Sequence, residues 1–196
     1  MVSILLACVA CQPAEGPASS SGQASSTVLV PLALEQPQLI WRGETLGIET
    51  GLSFQPSAAI RDALSHGVAV TLVVETRIHP WRGWLASPDQ TRNHRFEIRY
   101  LPLSEHYQLK ILKSDSTRTY PRLRLLLADL AQRRWLDTHL TRSQLGEDEW
   151  AVEVRVDIDK EQLPAPMQLS VWAHKGWQTN TEWWRFTVTS SQPQGQ

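Results

Sequence analysis

The feature that most constrains this chain is a two-residue rhythm of apolar and polar side chains. Val68, Val70, Leu72, Val74, Thr76 and Ile78 fall on one side of an extended chain, and Ala69, Thr71, Val73, Glu75 and Arg77 on the other. Successive side chains of a strand point to opposite faces, so this rhythm predicts strands with one covered face. It recurs where Phe96, Ile98 and Tyr100 alternate with Arg95, Glu97 and Arg99. Tyr107, Leu109 and Ile111 alternate with His106, Gln108 and Lys110, after a Leu101–Glu105 connection short enough for a hairpin. Trp150, Val152, Val154, Val156 and Ile158 alternate with Ala151, Glu153, Arg155 and Asp157. Met167, Leu169 and Val171 mark a further strand, and Trp184, Phe186 and Val188 the last; Leu39–Arg42 and Thr45–Phe54 form an opening pair around Gly43. One polar face per strand is the pattern of an antiparallel sheet packed on one side.

Two segments break the rhythm. Pro56 is expected at the first helical position of one, with Ile60, Ala63 and Leu64 on one side and Gly67 as the stop. Pro121 is expected to open a longer helix, where Leu123, Leu126, Leu127 and Leu130 recur at helical spacing. Arg133 and Arg134 near its end suit the helix dipole. No strand–helix alternation supports a doubly wound sheet, and no fixed-period repeat is visible. The expected fold is mainly β (α+β): an antiparallel β-sandwich-like domain with two packed helices.

The N-terminus reads differently. An apolar run, Ile4 to Cys11, contains the chain's two cysteines, Cys8 and Cys11, and leads into a stretch rich in Pro, Ser, Gly, Gln and Ala. That order suggests an export signal, a lipid-bearing cysteine and a flexible tether, as in a bacterial lipoprotein. Small residues precede each cysteine, but no Lys or Arg occurs before Arg42. The apolar run is also shorter than the roughly 20 residues a span requires, so the natural start is expected to lie upstream. Cys11 is the preferred lipid attachment site, because it leaves the longer apolar run and opens directly onto the tether. Several acyl chains on one cysteine give stable anchoring. Gln12 follows Cys11, where an Asp would favour inner-membrane retention. The Cys8–Cys11 spacing also fits a redox pair, yet it lies in the segment expected to be removed. With no later cysteine, the remaining domain has no disulfide and no cysteine-based zinc site. The expected division is 1–11 signal segment, 12–33 linker, 34–188 one globular domain and 189–196 disordered tail, with the protein in the periplasm.

The search for chemistry returns little. Net charge is −1 with no basic block, which argues against nucleic acid. No second apolar stretch approaches membrane length, so membrane contact is expected only through the anchor. There is no G-x-S-x-G, H-E-x-x-H, S-x-x-K or Gly-rich phosphate loop. His94 and His106 could meet across a hairpin and hold a metal, but both are read as lying on polar strand faces. No metal or other cofactor is expected. Glu75, Glu97, Glu153 and Asp157 could supply the carboxylate pair of a glycan hydrolase or lyase, though no spacing selects a pair.

The tryptophans stand above background, with nine in the chain. Trp81 and Trp84 fall in a loop with Arg77, His79 and Arg82; Trp172, Trp177 and Trp183 fall off the core face or in connections. Exposed aromatics beside Arg can stack on sugars, peptides or lipid headgroups. They can equally cap the open edge of a sandwich. The expected function is a tethered, non-catalytic interaction module for an envelope protein or a cell-wall or lipid ligand. Arg77, Trp81, Arg82, Trp84 and Trp177 are its expected contact residues, with the Pro164–Gln168 segment beside them.

One ordered series of landmarks is Ala63-Leu64-Ser65-His66-Gly67-Val68, the Trp81/Trp84 cluster, Ile98-Arg99-Tyr100-Leu101-Pro102-Leu103, Leu163-Pro164-Ala165-Pro166-Met167-Gln168, Trp177 and Trp183-Trp184-Arg185-Phe186. In this order and spacing it resembles a bacterial family called domain of unknown function 4390. The resemblance runs from about Leu34 to Val188. It implies a secreted or membrane-anchored protein and, through gene neighbourhood, a link to a sensor histidine kinase. It implies no activity and transfers no catalytic residue. The chain departs from the family where Trp81-Arg82-Gly83-Trp84-Leu85-Ala86 replaces a denser aromatic run with a following acid, and where Ala165 replaces a frequent Lys.

Overall fold

The computed structural model describes residues 32–81, 90–146, 148–164, 177–179 and 181–189. Nine strands occur among them: β1 Leu32–Arg42, β2 Thr45–Phe54, β3 Val70–Pro80, β4 Gln90–Leu101, β5 His106–Ile111, β6 Ser116–Tyr120, β7 Arg134–Thr141, β8 Trp150–Ile158 and β9 Trp184–Val188. Three helices interrupt them, α1 Ala58–Ser65, α2 Leu123–Leu130 and the single turn α3 Arg142–Leu145. A 3-10 turn, Lys160–Gln162, follows β8.

All the strand pairs are antiparallel. They form a three-stranded sheet, β1-β2-β7, and a six-stranded sheet, β6-β5-β4-β3-β8-β9. One continuous apolar core joins Leu32, Leu46, Ile48 and Leu136 of the first sheet to Leu72, Phe96, Leu109 and Val154 of the second. The expected β-rich α+β architecture of two packed sheets is therefore what the chain adopts. Each described passage between the sheets runs through a helix: β2 to β3 through α1, β6 to β7 through α2, and β7 to β8 through α3.

The period-two faces hold along β3 except at Thr71, which lies on the outer face yet is buried. Val70, Leu72, Val74, Thr76 and Ile78 are buried, while Val73, Glu75 and Arg77 are only partly covered. Burial of each large aliphatic side chain is worth about 1.5–3 kcal/mol, so this face alone fixes the register against a one-residue slip.

Both prolines, expected at the first helical position, stand two places ahead of it. Ser57 caps α1, its Oγ accepting the Ile60 N–H at 3.2 Å, so Pro56 precedes the cap. Arg122 occupies the same place before α2, with Pro121 ahead of it. Gly67 does stop α1: its φ of 79° is the left-handed turn that glycine adopts freely, and its N–H donates to Leu64 O at 2.8 Å. α2 seats on β2 at Gly51, where a Cβ would stand 2.1 Å from the Ala131 carbonyl oxygen.

Two strands and a helical turn were not foreseen. β6 is short and mostly exposed, so it has no apolar stripe to reveal it. β7 follows the Leu-rich helix so closely that Arg133 and Arg134 read as its tail. Arg134 opens β7 instead, yet its Nη1 donates to Leu130 O at 2.8 Å and so serves the end of α2. β1 begins at Leu32, which is buried, inside the segment expected to be linker. Trp184 is exposed although it shares a face with buried Val188; among the described residues β9 is the last strand on its side of the six-stranded sheet. Cys8, Cys11, the tether, the Met167–Val171 strand, Trp172 and the 190–196 tail lie outside the described residues. Among those described, no helix is long and apolar enough to cross a membrane.

Candidate functional site

The outer face of the six-stranded sheet carries a ladder of charged side chains that the alternation places there and the register brings together. Glu75 on β3 stands opposite Arg155 on β8, and Glu153 on β8 opposite both Arg77 on β3 and Arg185 on β9. Glu75 is the hub. Its Oε1 accepts from Arg77 Nε at 2.9 Å, and its Oε2 from Arg155 Nε and Nη2 at 3.1 and 2.8 Å. Arg77 thus bonds along its own strand, leaving Glu153 to Arg185 at 2.7 Å and to His79, 3.8 Å away.

Trp183 lies over this network. Its ring centroid is 4.3 Å from the Arg77 guanidinium carbon and 4.5 Å from that of Arg155. A guanidinium on an aromatic face gains about 0.5–1 kcal/mol at a partly exposed site, and here two share one ring. The residues before Trp183 hold it in place. β9 pairs with β8 only as far as Val154, and beyond that point side chains take over. The Thr181 hydroxyl donates to the Val156 carbonyl, and the Thr179 hydroxyl to Asp157 Oδ1.

Beside the ladder lies a cavity of about 420 Å³, lined by Glu75, Asn93, Arg95, Arg155, Asp157 and Asp159 among others. Arg95 Nε donates to Asp159 Oδ2 at 3.0 Å. Asp157 Oδ1 also accepts the Ile158 N–H at 2.7 Å. Every carboxylate named here already accepts from a neighbour, so the surface is a matched array, suited to binding by exchange of partners.

The expected site residues separate. Arg77 sits at the centre of the ladder, and Trp81, just past the end of β3, is 45% exposed. Its backbone N–H donates to Glu149 O at 2.8 Å. Arg82 and Trp84 lie outside the described residues. Trp177 is 4% exposed and belongs to the apolar core, so it offers no surface to a partner. Of the four candidate carboxylates, Glu75 and Asp157 line one cavity, Glu153 lies further along β8, and Glu97 pairs with Arg99 at 3.4 Å. The sequence reading missed Arg155 and Arg185. Alternation had put Arg155 on the Glu75 face, but only the β3–β8 register sets them opposite.

The histidine pair is also corrected. His94 shares the face of Phe96 and Ile98, two and four residues on, and is 7% exposed. It stands opposite Val74, whereas His106 stands opposite Leu101, so the two do not meet. His94 Nε2 lies 2.9 Å from the Asp137 carbonyl, across the gap between the sheets. Burial pushes its pKa below the ordinary histidine range, with Lys113 and His139 acting in the same direction and Asp137 opposing them. Among the described residues, no group of three potential ligands could hold a metal ion.

No curated protein and no solved structure matches this chain. A family profile described as a domain of unknown function (DUF4390) matches residues 31–187. That span takes in the two sheets, the charged ladder and Trp183, and the chain belongs to the DUF4390 family.

Proposed function

We propose that this protein is an exported, lipid-anchored interaction module of the bacterial cell envelope, and that its outer sheet face is the contact surface. The supporting observation is Trp183 held between Arg77 and Arg155 over Glu75, with exposed Trp81 beyond the end of β3. An aromatic flanked by Arg is the composition of binding hot spots. The partner is an envelope protein or a cell-wall or lipid ligand, and the periplasmic part of a membrane sensor histidine kinase is the first to test. Lipid on Cys11 would fix the domain to the membrane, and residues 12–33 would set its reach.

The test is cross-linking in envelope fractions of cells making the full chain. The Trp81→Ala, Trp183→Ala double variant should lose its cross-linked partners while keeping its thermal transition. A variant that retains every partner places the contact elsewhere.

One observation favours a second reading. Glu75 and Asp157 share a cavity with two arginines, which is the setting a glycan hydrolase or lyase with a carboxylate pair would use. Against it, both oxygens of Glu75 are taken up by guanidinium groups. Release of soluble fragments from purified peptidoglycan, abolished in Glu75→Gln and in Asp157→Asn, would establish the enzyme. No release would leave the interaction module.

A further inference from the structure

A second cavity, of about 350 Å³, opens on the other side of β4, at the seam between the two sheets. Phe96 and Ile111 of the six-stranded sheet form one wall, and Trp135 and Leu136 of β7 the other. His94, Lys113, Arg134 and Asp137 add polar groups to this apolar lining. The volume suits a small organic molecule, and an apolar body with a few fixed polar groups is the usual composition of such sites.

The polar groups form a chain. Lys113 Nζ is 2.7 Å from His139 Nε2, and His139 Nδ1 is 2.9 Å from Asp137 Oδ2. An ammonium only donates, so His139 Nε2 is an acceptor and Nδ1–H donates to Asp137. His94 donates from Nε2 to the Asp137 carbonyl, which leaves its Nδ1 an acceptor. Of the two lining cations, Arg134 is taken up by Asp129 at 2.7 Å, which leaves Lys113 as the cation that can turn to a ligand.

The backbone is shaped to make this arrangement. Pairing of β2 with β7 slips between Thr45 and Gly47, whose partners are Thr141 and Asp137. The extra β7 residues form a bulge, and Thr138 Oγ1 donates to Leu46 O at 2.7 Å to fill the interrupted ladder. Within the bulge His139 has a φ of 61°, left-handed for a residue with a side chain. Such a conformation costs about 1 kcal/mol or more and persists only where the surroundings enforce it. Here the Asp137 carboxylate accepts the His139 backbone N–H at 2.7 Å. Bulges re-aim side chains, and in this one the His139 ring meets Lys113.

We infer that this seam cavity binds a small carboxylate with an apolar body, its carboxylate on Lys113 beside His94 and its body against Phe96, Ile111, Trp135 and Leu136. Lys113 keeps donors beyond the one it gives His139, and His94 Nδ1 accepts from a hydroxyl or amino group on the ligand. The site is independent of the outer sheet face, so either can fail without the other.

The probe pair is phenylacetate and its neutral isostere phenylacetamide, titrated into the full chain and followed by the imidazole signals of His94 and His139 in nitrogen-15 spectra. Phenylacetate should give saturable shifts in both rings, with phenylacetamide at least about tenfold weaker. Lys113→Met should weaken phenylacetate by about tenfold or more, and Lys113→Arg should restore part of it. Lys113 is exposed on a turn, so both variants are expected to fold, and their circular dichroism checks this. Equal binding of acid and amide, binding unaffected by Lys113→Met, or no saturable shift at millimolar phenylacetate would each overturn the inference.

Discussion

His94 and Arg95 are neighbours on β4, yet they serve two different parts of the molecule. Arg95 faces outward to Asp159 and the cavity beside the charged ladder. His94 faces inward and crosses the seam to the Asp137 carbonyl of the other sheet. The outer ladder is built mainly within one sheet, from residues set opposite each other by β3, β8 and β9. The seam is built between sheets, from groups that meet only when both are in place. Partners on the ladder can be exchanged with little structural cost, whereas a change at the seam alters how the sheets fit.

The sharpest way to break this contrast is Gly51→Ala. Its new Cβ would meet the Ala131 carbonyl at 2.1 Å, a backbone atom that cannot rotate away. Since α2 touches β2, β5 and β6, the cost falls on both sheets at once. Urea unfolding should show a loss of about 3 kcal/mol. A loss within error of zero would mean that α2 does not clamp the seam.

Asp129→Asn comes next. This carboxylate is largely buried and bonds Arg134 Nη2 at 2.7 Å and Arg118 Nη1 at 3.0 Å, linking β6, α2 and β7. Removing its charge leaves a covered guanidinium unpaired, at a cost of about 2 kcal/mol by the same measurement. Glu75→Gln should cost less than about 1 kcal/mol, although Glu75 touches two arginines, because its partners keep contact with water and with Trp183. If Glu75→Gln proved the more damaging, the ladder would be structural and the contrast would be reversed.

The smallest effect concerns pH. The His94 pKa in the fold lies below its unfolded value of 6.5. Below about pH 6.5 the unfolded chain therefore binds a proton that the fold does not. Stability from this group is complete above that pH and is lost as pH falls toward the depressed folded value. His94→Gln, which keeps a donor for the Asp137 carbonyl, should lose less stability than the parent between about pH 8 and pH 5. Parallel losses would assign the acid sensitivity to other groups.

The legible part of this protein is the part governed by local pattern. Alternation on β3, β4 and β8 was readable because each strand is covered on one side, and Gly67 was readable because only the left-handed turn requires it there. β7 was not, although Leu136, Thr138 and Leu140 do alternate and are buried. The neighbouring Leu stripe of α2 masked it. The site divides in the same way. Arg77 and Trp81 stand out by type and spacing, but Arg155 reaches Glu75 through a register between residues eighty positions apart. Trp177 misled because composition cannot tell a tryptophan that seals a core from one that greets a partner.

The passage of the chain through α1, α2 and α3 also has a temporal side. β3 to β6 form a meander of neighbours in sequence, and they can zip together by short steps. β7 must return to β2 after that whole meander has been laid down, closing a loop of more than eighty residues. Closing it costs chain entropy that only the finished interface can offset. β8 carries a like cost, since Glu75 and Arg155 are eighty positions apart, so β7 and β8 are both expected to dock after the meander and to open before it. Amide exchange should release the protons of β7 and β8 before those that join β4 to β5.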